Sequence, residues 1–523
     1  MYSNKVIKLI IVYLVIDIIT VFKGYSKYAQ GNNLTRRGSM NIKTKVLIIG
    51  AGASGISAGC QLIKNNFNDF IILEAKNRIG GRIFTTKFGD NVVDLGAQWV
   101  HGEKDNAAYK LAHPRGLLES SSKLHNYNNH VFAMSDGKIV PSEETAEIWR
   151  LYYLISDGIQ EKLKGNEDKF NSYGDYFIQE YNKVYEKNKY TNEKRAKEYL
   201  GWMERFDDSI QGSDTWYDVS TRGILEYWIC EGDLLLNWKK SGFQTILQLM
   251  MNDSKVNSDV KIEDKIKLSQ EVENINYTNP NKIIVTTADG NNYTASNVII
   301  TTSLGVLKNY HKKLFNPSLS PVKQQTIEGL NFGSVNKIFL EFPYRWWPED
   351  SAGFGFIWQD QDKKKFLAGN EENEWLLDVF EFMTVDYQSR ILCGWIIGES
   401  SRYIEKLSDK YVEDHLYELL KKFLGNSYDI PRPTRILRSQ WSTDKHIHGC
   451  YSFRSLKSEE LNATANKLAE PILAKNGNPV IMFAGEATHD HYYSTVHGAI
   501  EAGEREAKRL INFYRYVTIQ KFM

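Results

Sequence analysis

Three glycines, Gly50, Gly52 and Gly55, stand on a Gly-x-Gly-x-x-Gly spacing within VLIIGAGASGISAG, residues 46–59. An apolar run leads into them and a helical pattern opens from them, with Ser54 on the same turn. In that setting Gly50 permits the tight turn, Gly52 lets the main chain approach a pyrophosphate, and Gly55 lets helix pack close on strand. The phosphates then meet the positive end of the helix. Glu74 closes the next apolar run, FIILE, at the position where a carboxylate accepts both hydroxyls of an adenosine ribose and repels a 2′-phosphate. NADP is thereby disfavoured, while NAD and FAD remain. The residues that follow, EAKNRIGGRIFT, separate these two. Arg78, Gly80, Gly81 and Arg82 fall where flexible main chain and a forked guanidinium can engage the diphosphate of a longer, buried dinucleotide.

Five further motifs lie along the chain: VVDLGAQWVHGE, EVENI, FGSVNKIFLEF, WSTDKHIHGCYSF and FAGEATHDHYYSTVHGAIEAGEREA. With these, the sequence from about Lys45 to Tyr514 resembles the flavin-containing amine oxidase family, most of all its polyamine oxidase and spermine oxidase branch. The resemblance implies that Gly96, Ala97 and Gln98 run beneath a flavin ring, and that Trp99 and His101 enter a substrate tunnel. It gives Val272 to the adenine and Lys337 to a water held against flavin N5. It sets Tyr451 in front of the ring, Gly485 and Glu486 near the ribityl chain and diphosphate, and His497 near the flavin. Thr495 and Val496 begin a helix whose N-terminus favours negative charge on the ring. One departure stands out. Many relatives carry a second aromatic where this chain has Thr495, so Tyr451 is the one clear wall of an amine cage, with Tyr492 or Tyr493 as candidates for another.

The implied chemistry is FAD-dependent oxidation of spermine, spermidine or their N-acetylated forms. Hydride leaves the carbon beside an amine for flavin N5, the imine hydrolyses to an aldehyde and a shorter amine, and dioxygen yields hydrogen peroxide. The protein must then keep the reacting nitrogen neutral and reserve carboxylates for distal charges, since burial against aromatics lowers an amine pKa and nearby carboxylates raise it. Catalytic roles fall to Lys337, His101, Tyr451 and Trp99. Other amine oxidases, of monoamine or L-amino-acid type, and a flavin-binding secreted protein without catalysis are the alternatives. The amino-acid type needs an arginine for the substrate carboxylate, which no motif supplies.

The elements that must position these residues belong to an α/β (α+β) chain. Residues 45–112 read as strand, helix and strand followed by loops, and residues 142–236 as charged, aromatic helices. The charge run from Lys183 to Glu198 reads as a solvated helix face. Strands return from Lys265, then a mixed region, then a strand and helix near the end. A Rossmann-like FAD-binding domain is thus expected from the discontinuous segments 42–112, 240–308 and 431–516. A substrate-binding domain of mixed sheet and helices is expected from 113–239 and 309–430.

With 65 Lys plus Arg against 64 Asp plus Glu, no basic field exists to recruit nucleic acid. A cationic substrate must be drawn in by local acidic residues. Cys60, Cys230, Cys393 and Cys450 lack Cys-x-x-Cys spacing, which argues against a zinc site and for buried thiols, and no metal is expected. Residues 1–26 have the shape of a secretory signal peptide, cleaved near Ser26, with a linker at 27–41. Its apolar run is broken by Lys8 and Asp17, so no stable membrane span is expected after cleavage. A secreted or lumenal protein follows, the alternatives being a membrane anchor or a cytoplasmic product from Met40. Five Asn-x-Ser/Thr sites, at Asn33, Asn252, Asn276, Asn292 and Asn462, permit glycosylation. Oligomeric state is not readable.

Overall fold

The computed structural model describes residues 40–187, 193–253 and 260–522. The leader, most of the linker and Asn33 lie outside them. The fold is mixed α/β, as expected.

The nucleotide side is a six-stranded sheet in the order Ile472–Leu473, Pro479–Phe483, Asn297–Ile300, Val46–Ile49, Phe70–Leu73, Ile266–Lys267. All neighbours are parallel except the first pair. VLII is apolar at every position because this strand is buried on both faces, where alternation would leave polar groups in a dry layer. The helix Ala53–Lys64 covers one face, joined there by the C-terminal helix Val496–Phe522. Ser57 Oγ donates to the Ile500 carbonyl at 2.9 Å across that contact. A smaller five-stranded sheet, Asn41–Lys43, Asn292–Ala295, Ile283–Thr287, Val272–Asn276 and Phe315–Asn316, carries the EVENI motif.

The third sheet runs Arg435–Arg438, Val335–Glu341, Ile391–Ile397, Glu381–Thr384, Gly353–Ile357, His130–Met134. Against it pack the helices Ser142–Ser156, Tyr173–Lys187 and Glu193–Gln211, joined by an aromatic core that includes Trp149, Tyr152, Phe177 and Trp202. Two strand pairings lie near the expected boundaries. Arg435–Arg438 hydrogen-bonds to Val335–Glu341 in the third sheet. Phe315–Asn316 adds to Val272–Asn276 in the five-stranded sheet. In each case the edge of an existing sheet captures a short strand beyond the apparent break in pattern.

The charged run is only in part a solvated face. Lys183, Glu186 and Lys197 are exposed, whereas Glu198 is turned inward; residues 188–192 lie outside the described ones. All four cysteines are buried, and no disulfide joins them. Among the described residues no helix is long and apolar enough to cross a membrane.

Candidate active site and nucleotide cleft

One cavity of about 1090 Å³ runs from the ends of the parallel strands to the aromatic helices. Every cofactor or catalytic residue expected from sequence lines it, except Gly55 and Arg78. Gly55 works behind the wall: a Cβ there would lie 2.0 Å from the Gly50 carbonyl oxygen, so helix and turn meet only because it is absent. Gly50 holds φ at +107°, a conformation that side chains resist.

The turn fits a dinucleotide diphosphate on three counts. The helix Ala53–Lys64 has no side-chain cap, which leaves its first N–H groups to a ligand. Ser54 Oγ and Thr302 Oγ1 are buried in the cavity wall with no hydrogen-bond partner in the protein. Gly52 faces the open cavity, where an added Cβ would meet only the Gly80 oxygen at 3.9 Å.

Glu74 sits at the strand end with its oxygens accepting the Ala51 N–H at 2.7 Å and the Lys76 N–H at 2.9 Å. Each oxygen keeps a further lone pair for a ribose hydroxyl. Val272 lies beside it in the wall, where the strand bulges between Val272 and Asn274.

The two expected guanidinium groups divide. Arg82 faces the cavity and donates through both terminal nitrogens to Glu486 Oε1, each at 3.1 Å. Glu486 is held in turn by Ser452 Oγ and by the Ser494 N–H. Arg78 instead braces its own loop, donating to the carbonyls of Ile79, Gly81 and Ile83 and stacking on Phe84, so its expected diphosphate contact is not formed by this arrangement. Gly80 and Gly81 both line the cavity. Thr495 caps the C-terminal helix, its hydroxyl accepting from the Gly498 N–H at 3.0 Å.

Lys337 is buried, on the central part of the third sheet. Its ammonium donates to the Asp94 carbonyl (3.1 Å), the Gly96 carbonyl (2.8 Å) and Gln98 Oε1 (2.7 Å). Burial pushes its pKa down to about 8, against opposing pulls from Cys393 and Asp94. An ammonium has three protons and here meets three acceptors. A water on this group must therefore replace one of them, and Gln98 is the only acceptor on a rotatable side chain.

His101 is exposed to the cavity, and desolvation by the protein packed around its ring lowers its pKa. Its Nδ1 lies 2.6 Å from the Leu234 carbonyl. A carbonyl only accepts, so Nδ1 carries the proton and Nε2 presents a lone pair. Trp99 donates to Ser121 Oγ at 3.2 Å and stacks on Trp395 at 6.2 Å, with 8° between the planes. Tyr451 donates to the Ser209 carbonyl, which fixes its ring in the wall. Of the two candidates for a second aromatic, Tyr493 lines the cavity, its hydroxyl on the Gly223 carbonyl at 2.9 Å, whereas Tyr492 does not. His497 also lines it, with burial pushing its pKa down to about 3.

Several cavity residues escaped the sequence reading. Asp207 is buried and accepts the hydroxyls of Tyr152 (2.9 Å) and Tyr173 (3.0 Å), while its Oδ2 has no partner. Burial raises its pKa to about 6. Asp157, Asp233, Glu381 and Trp395 join the same half of the cavity. The only signal available was an acidic pair, Asp207 and Asp208, on an aromatic-rich helix, which reads equally well as a solvated face.

A family model described as flavin containing amine oxidoreductase matches residues 53–511. A human protein named peroxisomal N(1)-acetyl-spermine/spermidine oxidase is 30% identical over 499 residues, spanning 90% of this chain and 95% of its own. Polyamine oxidase 1 of Zea mays is 26% identical over 507 residues, spanning 92% and 93%. Among solved structures, a double mutant of putrescine oxidase redesigned in its cofactor binding superposes with a TM-score of 0.65 over 90% of this chain and 100% of its own, at 18% identity. That likeness establishes the fold.

Proposed function

The chain belongs to the flavin containing amine oxidoreductase family and its cofactor is FAD; from that premise we propose that it oxidises polyamines, cleaving spermine, spermidine or their N-acetylated forms to an aldehyde and a shorter amine with release of hydrogen peroxide. The observation that carries this reading is the make-up of the cavity beyond Lys337. Its walls are aromatic, its carboxyl groups are Asp157, Asp207, Asp233 and Glu381, and Lys337 is the one lysine or arginine there among the described residues. Arg82, Lys76, Lys313 and Lys445 line the nucleotide end. A multiply charged amine meets acid at a distance and aromatic surface where it reacts.

Bound in this cleft, FAD supplies the two-electron acceptor and the route to dioxygen. Glu74 would hold the ribose, Ser54 and the first N–H groups of the glycine-turn helix the diphosphate, and Arg82 with Glu486 the middle of the dinucleotide. His101 Nε2 accepts the N–H of the reacting amine and fixes its orientation without needing to take a proton. Tyr451, Trp99 and Trp395 exclude water and favour the neutral amine, the form with a lone pair to assist loss of hydride. Asp207, with Tyr152 and Tyr173 donating to one oxygen, keeps the other for a distal ammonium. Lys337 would hold a water toward the cofactor once Gln98 yields its place on the ammonium.

An L-amino-acid substrate is disfavoured by the same inventory, because the single arginine of the wall is already held by Glu486. Anaerobic mixing of the purified flavoprotein with spermine should bleach the oxidised flavin spectrum. A spectrum unchanged by spermine, spermidine and their acetylated forms would end the polyamine reading. The lysine-flanked apolar run at 1–26 supports entry to the secretory route. N-terminal sequencing of the protein from its native source should then begin near residue 27, and a start at Met1 or Met40 would count against it.

A further inference from the structure

We propose that Glu381 selects for substrates with a second cationic nitrogen, by pairing with a nitrogen other than the one oxidised; the proposal rests on the amine reading of the cavity above. Glu381 opens the strand Glu381–Thr384, and both Glu381 and Met383 reach the cavity while Phe382 points into the core behind the sheet. The ladder fixes its neighbours. Lys337 pairs with Trp395, and Phe382 and Met383 pair with Gly394 and Cys393, so Glu381 falls in register opposite Trp395. Lys337, Trp395 and Glu381 therefore form one transverse row on the cavity face of the sheet, with Glu381 about 10 Å from Lys337, two strand spacings away. Trp395 fills the middle of the row, Lys337 Nζ lying 5.1 Å from its ring centre and Trp99 stacked on it.

That row has a reactive end and an acidic end, separated by an aromatic floor. An amine whose reacting carbon lies near Lys337 runs along Trp395, and a propylene or butylene spacer carries its next nitrogen towards Glu381. Met383 and Trp395 share Glu381's face of the sheet, Tyr153 and Cys393 lie within electrostatic reach, and among the described residues no hydrogen bond to its carboxyl is formed. Burial alone raises its pKa, to about 8, with no compensating cation or hydrogen bond. A carboxyl in that setting destabilises the fold, where an apolar residue would not. A bound ammonium supplies the missing partner. Asp207, on the helix Glu193–Gln211, is a second carboxyl in the wall of the same cavity.

The test compares holoenzyme, Glu381→Val and Glu381→Gln on two substrates. One is spermine. The other is its monoamine isostere, in which methylene replaces every nitrogen except the one oxidised. Glu381→Val should raise KM for spermine by about thirtyfold or more, the usual loss on deleting one partner of a buried charge pair, with kcat within about twofold. It should leave kcat/KM for the isostere unchanged, which also certifies that the site is intact. Glu381→Gln, of equal size and without charge, should shift KM for spermine in the same direction by less. Equal losses on both substrates, or no loss on spermine, would overturn the proposal. Wild-type enzyme inert to spermine yet active on the isostere would instead overturn the polyamine reading, and the selective role with it.

Discussion

Replacing Lys337 by Met should slow substrate-driven flavin reduction by about 100-fold or more while FAD stays bound. Methionine matches the length of the lysine stem and keeps its apolar contacts with Trp99 and Trp395, but it donates nothing. It also strands three acceptors, the carbonyls of Asp94 and Gly96 and the amide oxygen of Gln98, each of which costs about 1–3 kcal/mol when buried without a partner. The segment from Asp94 to Gln98 should relax, and the melting temperature fall, without release of the cofactor, because Glu74, Ser54 and the glycine turn lie elsewhere. The two effects separate by measurement: stopped-flow reduction reads the chemistry, and flavin absorbance after gel filtration reads retention. Unchanged reduction would refute the assigned role, and loss of FAD would show that Lys337 serves mainly to hold the cleft together.

A second large effect is expected at Gly55, with Gly52 as its counterpart. In Gly55→Ala the new methyl group would sit 2.0 Å from the Gly50 carbonyl oxygen and 3.0 Å from Thr301 Oγ1. Neither neighbour can swing away. Gly50 is main chain at positive φ, and Thr301 is tied to the carbonyls of Ile49 and Gly50. The helix must lift from the strand, at a cost of about 3 kcal/mol or more, and the protein should lose FAD. Gly52→Ala meets nothing in the protein closer than 3.9 Å, so the apoprotein should melt as the wild type does, while the methyl group occupies the space of the diphosphate and weakens FAD about tenfold or more. Thermal melts of both apoproteins and flavin titrations decide the matter. Equal stability of the two apoproteins would show that the division between a glycine facing protein and a glycine facing cofactor is wrong.

Legibility in the sequence followed how local each feature is. The nucleotide turn is written within a few residues: strand, glycines and helix are consecutive, and Glu74 ends the very next strand. Lys337, His101 and Tyr451 were found through a resemblance that spans the chain, because nothing in their immediate neighbourhoods marks them. Lys337 lies in a run of otherwise largely apolar residues, and only the chain reversal at Asp94–Gln98 supplies its acceptors. Asp207 and Glu381 were out of reach for a further reason. Alternation of polar with apolar residues reads as one wet face and one dry one, yet the face of the third sheet that carries Glu381 is roofed by helices from residues 142–211, and its acid is buried. Arg78 shows the converse. Its place in the motif promised a cofactor contact, but the loop's own carbonyls claim its guanidinium first.

The parallel sheet has a consequence for how the molecule is made in the cell. Ser57 and Ile500, bonded across the two helices that back the glycine turn, are 443 residues apart. The neighbour of Asn297–Ile300 on its far side is Pro479–Phe483. At ordinary rates of synthesis the ribosome therefore takes roughly 20–90 seconds between delivering the first strand and delivering the elements that complete the cleft. Throughout that interval the nascent chain carries an unpaired sheet edge and has nowhere to hold a flavin. Cofactor loading is thus a late event, following release of nearly the whole chain, and it marks finished molecules. A chain that stops before Pro479–Phe483 and Val496–Phe522 lacks elements that complete the cleft.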